Sequence, residues 1–376
     1  MAIFRQNLFR PSEPFITQQA RLLRRHAPFY VGRLRFGDAP AGATSVALQD
    51  RGLPGAWPLI GWQMLTRDPA PYLRLIGDRR PALIHAHFGI DGVYALPIAQ
   101  RLHVPLVTTF HGYDATLSTA ALLTSPAWAN YPLFRRRLAA RGDLFLCVSH
   151  FIRDRVLAMG FPAERTLLHY TGVDCRAFPL RDPAEATPVI LHVARLVEMK
   201  GTRYLIEAFA GLAARHPELR LVIVGDGPLR PALTAMSVRL GLADRISFLG
   251  ARPHAEIAGW MRRAMMLVLP SINTGTGRVE GLGMVLLEAA ATGVPVVATD
   301  VGGIPEGAED GVTGILTPER DPAALFRAML ALAGDAAMRA RMGQAGRNLV
   351  ERRFDIVRQN HALELHYDRV RLARTS

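Results

Sequence analysis

Two glutamates flank a glycine-rich helix start in Glu280-Gly281-Leu282-Gly283-Met284-Val285-Leu286-Leu287-Glu288. Glycines there let the backbone approach a ligand closely. The start of the following helix offers unpaired N–H groups and a positive dipole end to a phosphate. Glu288 falls inside that helix among apolar neighbours, where a carboxylate is costly unless something hydrogen-bonds it, as a ribose diol would. The plainer alternative is that Glu280 complements the helix dipole and Glu288 reaches water at one edge. A further glycine pair follows in Gly302-Gly303-Ile304-Pro305-Glu306.

Cations stand upstream of this segment. Arg195 and Lys200 come just after the apolar run ending in Val193-Ala194, and Lys200-Gly201-Thr202 opens the next helical stretch. Two cations and a helix N-terminus at one strand end make a ready site for a diphosphate. The competing reading is a local ion pair with Glu198. Lys200 is the only lysine among the 45 basic residues. Where nearly every cation is Arg, it marks a position for a compact ammonium that a guanidinium fork does not replace. His111 follows another strand end, in Thr108-Thr109-Phe110-His111-Gly112-Tyr113-Asp114, which suits a site residue, although a His in such a turn is as often structural. His85-Ala86-His87 has no third ligand at a suitable spacing, so no metal is expected.

The elements that carry these residues read as apolar runs separated by helical stretches. Strands are expected at 83–86, 105–109 and 144–148, then at 189–194, 221–224, 265–269 and 295–299, with helices at 202–212 and 356–374. Continuous apolar strands separated by helices predict parallel sheets covered on both faces, hence an α/β fold of two doubly wound domains. At 376 residues the chain fits two such domains. The turn-rich segment from Tyr170 to Pro188 contains the linker, which places a first domain at 1–172, a linker at 173–188, a second domain at 189–355 and a terminal helix at 356–376 that packs back on the first domain. In such sheets ligands bind beyond the carboxyl ends of the strands, so a ligand is expected where the two domains face each other.

Positive charge belongs to the first half. Residues 1–176 carry 21 Arg against 11 acidic residues, and the remainder carries 24 basic against 21 acidic residues. Clusters such as Arg135-Arg136-Arg137 suit an anionic membrane leaflet or a diphosphate-bearing lipid, with solvated surface charge as the plain alternative. Nucleic acid is not expected, because aromatic residues are not interleaved with the arginines. No apolar run reaches spanning length and the N-terminus lacks a signal h-region, which predicts a cytoplasmic protein, peripheral on the inner face of the plasma membrane. Cys147 and Cys175 imply neither a disulfide framework nor a metal site.

The order Arg195-Leu196-Val197-Glu198-Met199-Lys200-Gly201, Val224-Gly225-Asp226-Gly227-Pro228, Glu280 to Glu288 and Gly302-Gly303-Ile304-Pro305-Glu306 resembles the retaining glycosyltransferases of family 4, which have the GT-B fold. Ser12-Glu13-Pro14-Phe15-Ile16 and the His111 segment resemble the subgroup that builds bacterial exopolysaccharides, including colanic-acid-type enzymes. The resemblance implies transfer of a sugar from a UDP- or GDP-linked donor to a lipid-linked (polyprenyl diphosphate) saccharide, without metal or other cofactor. It implies that Arg195 and Lys200 contact the donor diphosphate, that Glu280 lies beside the donor sugar and that Glu288 binds the ribose. Gly281, Leu282, Gly283 and Met284 would offer backbone N–H groups, and Gly225, Asp226, Gly227 and Pro228 would border the nucleotide. His111 would reach the donor sugar from the other domain, with Asp114 and Ser12 on the acceptor side. Where many relatives have a paired-glycine loop that shapes the acceptor site, this chain has Leu8-Phe9-Arg10-Pro11-Ser12-Glu13-Pro14. A sugar-nucleotide epimerase of the same fold, or a non-catalytic sugar-nucleotide-binding subunit of a polysaccharide assembly complex, remains the alternative.

Overall fold

The apolar runs become the strands of two parallel sheets in the computed structural model, which describes residues 1–51 and 55–375. Contacts divide the chain into one unit of Met1–Gly172 with Ile356–Ser376 and another of Val173–Asp355. The first unit holds β1 (Ala2–Phe4), β2 (Phe29–Gly32), β3 (Ser45–Ala47), β4 (Ile84–His87), β5 (Leu106–Phe110), β6 (Leu144–Cys147) and β7 (Thr166–Leu168). Their order across the sheet is β3-β2-β1-β4-β5-β6-β7, all parallel. β4, β5 and β6 are buried along their whole length, as both-face coverage requires. Around this sheet run α1 (Pro14–Arg21), α2 (Ala56–Thr66), α3 (Gly89–Leu102) and α4 (Pro126–Arg141).

The second unit repeats the winding with β8 (Val189–Val193), β9 (Arg220–Val224), β10 (Ile246–Gly250), β11 (Met266–Leu269), β12 (Val296–Thr299) and β13 (Gly314–Thr317), in the order β10-β9-β8-β11-β12-β13. Its helices include α5 (Thr202–Arg215), α6 (His254–Arg263) and α7 (Met284–Thr292). Leu205, Phe209 and Leu212 recur along one face of α5 and bury against Ile190, Leu221, Ile223 and Val268 of the sheet. Full burial of such side chains contributes about 1.5–3 kcal/mol each. In both sheets the winding reverses between the first and fourth strands, and the crevice at that reversal, beyond the strand carboxyl ends, is where doubly wound folds take ligands.

The terminal helix α8 (Ile356–Thr375) places Leu363, Tyr367 and Val370 in the core of the first unit. The Tyr367 hydroxyl bonds His85 Nδ1 at 2.7 Å, and His85 Nε2 meets Thr109 Oγ1 at 2.7 Å. The charge asymmetry sharpens when counted by unit: 24 Arg against 12 acidic residues in the first, 21 basic against 20 acidic in the second. No described helix is long and apolar enough to cross a membrane.

Candidate functional site

The two loops that leave β8 and β11 rise on either side of the reversal in the second sheet, and they carry Lys200 and Glu280. Lys200 Nζ donates to Glu280 Oε2 at 2.7 Å and to Oε1 at 3.0 Å. Each side chain is only 13% exposed, so the pair is largely out of water. The local pair with Glu198 does not form; Lys200 reaches across the sheet instead.

Local structure holds both partners in place. Gly201, at φ 62°, presses against the end of β11, and a Cβ there would lie 1.8 Å from the Pro270 carbonyl oxygen. Ile272 N donates to Met199 O at 2.8 Å, tying the two loops together. Beneath them His192 is wholly buried, with Nδ1 2.8 Å from the Val268 carbonyl and Nε2 3.0 Å from Thr202 Oγ1. The carbonyl can only accept, so Nδ1 carries the proton and Nε2 accepts from the Thr202 hydroxyl. Burial lowers the imidazole to about 4, which keeps it neutral.

Glu280 is gripped along its backbone as well. Gly303 N donates to its carbonyl at 3.0 Å, and a Cβ on Gly302, which sits at φ 60°, would lie 2.3 Å from that oxygen. The glycine pair of Gly302-Gly303-Ile304-Pro305-Glu306 thus serves close backbone packing on Glu280. Ser271 Oγ lies 3.4 Å from Glu280 Oε2.

Gly281, Leu282, Gly283 and Met284 lead directly into α7, which begins after Gly283 with no side-chain cap and no acidic residue in its first turn. An uncapped helix start beside a lysine favours an anion. Arg195 is exposed and its side chain makes no ion pair among the described residues. The turn from Gly225 to Pro228 adjoins the Arg195 loop: Leu196 N donates to Asp226 O at 2.9 Å. The Asp226 carboxylate, 55% exposed, is 3.2 Å from Arg230 Nη1.

Glu288 lies one helical turn further along α7 and is 14% exposed. Its Oε1 is 3.0 Å from His254 Nε2 on α6, and this bond raises the imidazole above its ordinary value. The expectation that water at a helix edge or a ligand must satisfy Glu288 missed His254. Nothing in the sequence marks a partner 34 residues away.

In the first unit His111 Nε2 is 3.0 Å from His87 Nδ1, with the rings stacked at 5.2 Å. Phe15 and Phe88 flank the His111 ring. Burial pushes His85, His87 and His111 well below the usual imidazole range, so all three are neutral near pH 7. Asp114 stands three residues beyond His111. It is 1% exposed and accepts from Gly89 N at 2.7 Å, Gly112 N at 2.9 Å and His111 N at 3.3 Å. Its carboxylate ties the His111 turn to the backbone. Ser12 is exposed at the loop before α1.

The crevice at the reversal of the first sheet contains residues that the sequence reading passed over. Arg5, directly after β1, donates to Asp91 Oδ2 at 2.8 Å from Nη1 and to Glu13 Oε2 at 2.8 Å from Nε. Gln6 adds its backbone N–H and its side-chain amide to Asp91, at 3.1 and 2.7 Å. Glu13 lies in the stretch Leu8-Phe9-Arg10-Pro11-Ser12-Glu13-Pro14, which the resemblance set against the paired-glycine loop of many relatives. The described residues contain no group of three or more His, Cys, Asp or Glu side chains arranged to hold a metal ion.

Residues 180–349 match the family Glycosyl transferases group 1, and residues 16–177 match Glycosyltransferase Family 4. A protein named as a colanic acid biosynthesis glycosyltransferase, WcaL, from Salmonella typhimurium is 37% identical over 64% of this chain and 58% of its own length. The amylovoran biosynthesis glycosyltransferase AmsK of Erwinia amylovora is 34% identical over 72% of this chain and 65% of its own length. The chain therefore spans about three fifths of these two relatives. A GDP-mannose-dependent alpha-(1-6)-phosphatidylinositol monomannoside mannosyltransferase of Mycolicibacterium smegmatis is 34% identical over 73% of each chain. Among solved structures, Anabaena Alr3699/HepE in complex with UDP-glucose superposes with a TM-score of 0.77 at 22% identity, covering 98% of this chain and 99% of that one. Two doubly wound units and this likeness define the GT-B fold of glycosyltransferases. The chain belongs to glycosyltransferase family 4.

Proposed function

We propose that this protein transfers a sugar from a nucleoside diphosphate sugar, UDP- or GDP-linked, to a hydroxyl of a polyprenyl-diphosphate-linked saccharide, with retention at the anomeric carbon, in bacterial exopolysaccharide synthesis. The observation that carries this reading is the Lys200–Glu280 pair beside the uncapped start of α7 and the unpaired Arg195. Breaking the bond between anomeric carbon and diphosphate leaves negative charge on the leaving group. Preorganised cations and N–H groups lower the barrier by meeting that charge as it develops. Arg195, Lys200 and the backbone from Gly281 to Met284 are assigned that task, so the reading includes no metal. Glu280 then orients the ammonium and hydrogen-bonds the sugar, while Glu288 and His254 hold the ribose. His111 is assigned to the transfer step by family resemblance. The acceptor hydroxyl attacks from the face that the diphosphate leaves, its proton passing to the departing phosphate oxygen, so no protein nucleophile is needed.

Relatives named for colanic acid and amylovoran synthesis support the exopolysaccharide setting, and the basic first unit supports work at the cytoplasmic membrane face. The test is incubation with labelled UDP-, GDP- and dTDP-sugars, with and without a polyprenyl-diphosphate saccharide and with EDTA. The expected result is acceptor-dependent transfer from one donor, an anomeric configuration equal to that of the donor, and no loss in EDTA. Conversion of donor to an epimeric sugar nucleotide without acceptor would overturn the transferase reading. Restoration of polysaccharide in a null strain by folded Lys200→Ala and Glu280→Ala variants would favour a non-catalytic role.

A further inference from the structure

Helix α2 is apolar on its exposed face as well as its buried one. Of its residues Ala56-Trp57-Pro58-Leu59-Ile60-Gly61-Trp62-Gln63-Met64-Leu65-Thr66, the buried ones include Gln63, while Trp57 and Trp62 are each 56% exposed and Leu65 is 76% exposed. At 100° per residue Trp57, Pro58, Trp62 and Leu65 fall within one face. An exposed apolar face of this kind marks an interaction surface, and paired tryptophans suit the boundary between water and hydrocarbon. Next to it, α4 exposes Leu133, Arg136, Arg137 and Arg141 at helical spacing on one side. The two helices touch: Asn130 of α4 donates to the Met64 carbonyl, as does Tyr94 Oη at 3.1 Å.

Between α2, α3 and α4 lies a cavity of about 170 Å³ lined by Thr66, Arg67, Asp68, Leu96, Gln100 and Arg137. Two of those groups are cations, and among the described residues neither forms an ion pair. The Arg67 guanidinium lies over the Phe134 ring, and its Nε is shielded from solvent without a hydrogen-bond partner. Burial and then the nearness of Arg137 lower it below the ordinary guanidinium value, a cost that an anion between the two would relieve. The one carboxylate present, Asp68, is already committed to Trp62 Nε1 at 3.2 Å and Ala70 N at 2.9 Å. This pocket lies toward the ends of α3 and α4 that follow away from the strand carboxyl ends, so it is separate from the Arg5–Asp91 crevice.

We propose that this face docks the protein on an anionic membrane, with Trp57, Trp62 and Leu65 entering the headgroup layer and a lipid phosphate seated between Arg67 and Arg137. The surface deepens the membrane part of the proposed function and does not depend on the donor chemistry. Charge complementarity selects the occupant, since the unit carries 24 Arg against 12 acidic residues and the patch itself joins apolar rings to unpaired cations.

The experiment is flotation of the full chain with vesicles of phosphatidylcholine alone or mixed with phosphatidylglycerol, following tryptophan emission. Sugar transfer to a water-soluble acceptor is measured on the same samples. The full chain is expected to float only with the phosphatidylglycerol vesicles, with emission shifted to the blue. Trp57→Ser/Trp62→Ser and Arg67→Gln/Arg137→Gln should each partition at least about tenfold more weakly with unchanged thermal midpoints. Arg137→Gln alone, at an exposed position, serves if the Arg67 change impairs folding. Equal binding to neutral vesicles, or parent-like binding by both double variants, overturns the proposal. So does quenching by inorganic phosphate without any vesicle binding, which would make the pocket a free-anion site. A dimer that Trp57→Ser/Trp62→Ser dissociates overturns it as well, by making the face a self-interface. Lost flotation with intact transfer defeats this inference alone, and flotation without transfer defeats the transferase reading alone.

Discussion

Replacing Lys200 by Met keeps the aliphatic stem and deletes the ammonium, leaving the Glu280 carboxylate 13% exposed with only Ser271 Oγ, at 3.4 Å, beside it. A hydrogen bond to a charged group contributes about 1.5–3 kcal/mol, and stripping one partner from a fully buried ion pair costs about 3–5 kcal/mol. With both side chains slightly wet, about 2–3 kcal/mol is expected for Lys200→Met. Lys200→Met/Glu280→Gln removes the stranded charge along with its partner, and most of that loss should return. Turnover should follow a different pattern. Both variants lose a preorganised charge aimed at the leaving group, worth about 10²–10³ in kcat, so the double variant should be stable and still slow. Lys200→Arg keeps the charge but places a planar fork where a compact ammonium bonds both carboxylate oxygens, so it should retain stability better than activity. Urea unfolding of these four proteins and of Glu280→Gln, which completes the cycle, and single-turnover transfer from labelled donor measure the two quantities. Additive stability losses in the double variant would show that the pair is not coupled. Parent-like kcat for Lys200→Met at saturating donor would refute the assignment to the diphosphate.

Gly302→Ala would push a Cβ to within 2.3 Å of the Glu280 carbonyl oxygen in a left-handed backbone, so thermal unfolding should show a loss of about 1–3 kcal/mol together with reduced turnover. Glu288→Gln should bring the raised His254 value down, read by NMR titration of the ring. Because the folded imidazole is raised, the pair's contribution is fully present below the ordinary value of about 6.5 and fades as pH rises through the folded one. Four histidines of the first unit act oppositely: His85, His87 and His111 are held well below the ordinary range, and His169 is pushed to about 3 by burial. The unfolded chain binds their protons first, so stability should fall as pH drops beneath about 6.5. Asp114, raised by burial to about 6, and Asp91, also raised by burial, offset part of this between their unfolded and folded values. A thermal midpoint that stays flat from neutral pH to pH 5 would contradict the neutral cluster.

The central strands were legible because they are buried on both faces. The apolar runs at 105–109 and 189–194 correspond to Leu106–Phe110 and Val189–Val193. Strands with weak signals were not anticipated. Ala2–Phe4 spans three residues, and Ile246–Gly250 is an edge strand whose middle residues are partly exposed. The candidate residues of the second unit stood out as residue types, since a lone lysine and two glutamates around glycines are unusual whatever their partners. Their pairing was not, because Lys200 and Glu280 stand 80 residues apart and meet only when two loops rise from adjacent strands. The bonds of Asp114 were hidden for a related reason: a carboxylate two residues after a glycine reads alike whether it faces a ligand or accepts from its own turn.

The two units share one winding, yet their crevices have gone different ways. In the first, Arg5, Asp91 and Glu13 close the reversal point with the chain's own ions, whereas in the second the loops leave a chargeable pair and an open helix start. A fold twice repeated need not therefore count twice as a receptor. Titration should saturate at one nucleotide per chain, because only the second crevice leaves cations and a helix start uncovered for a diphosphate.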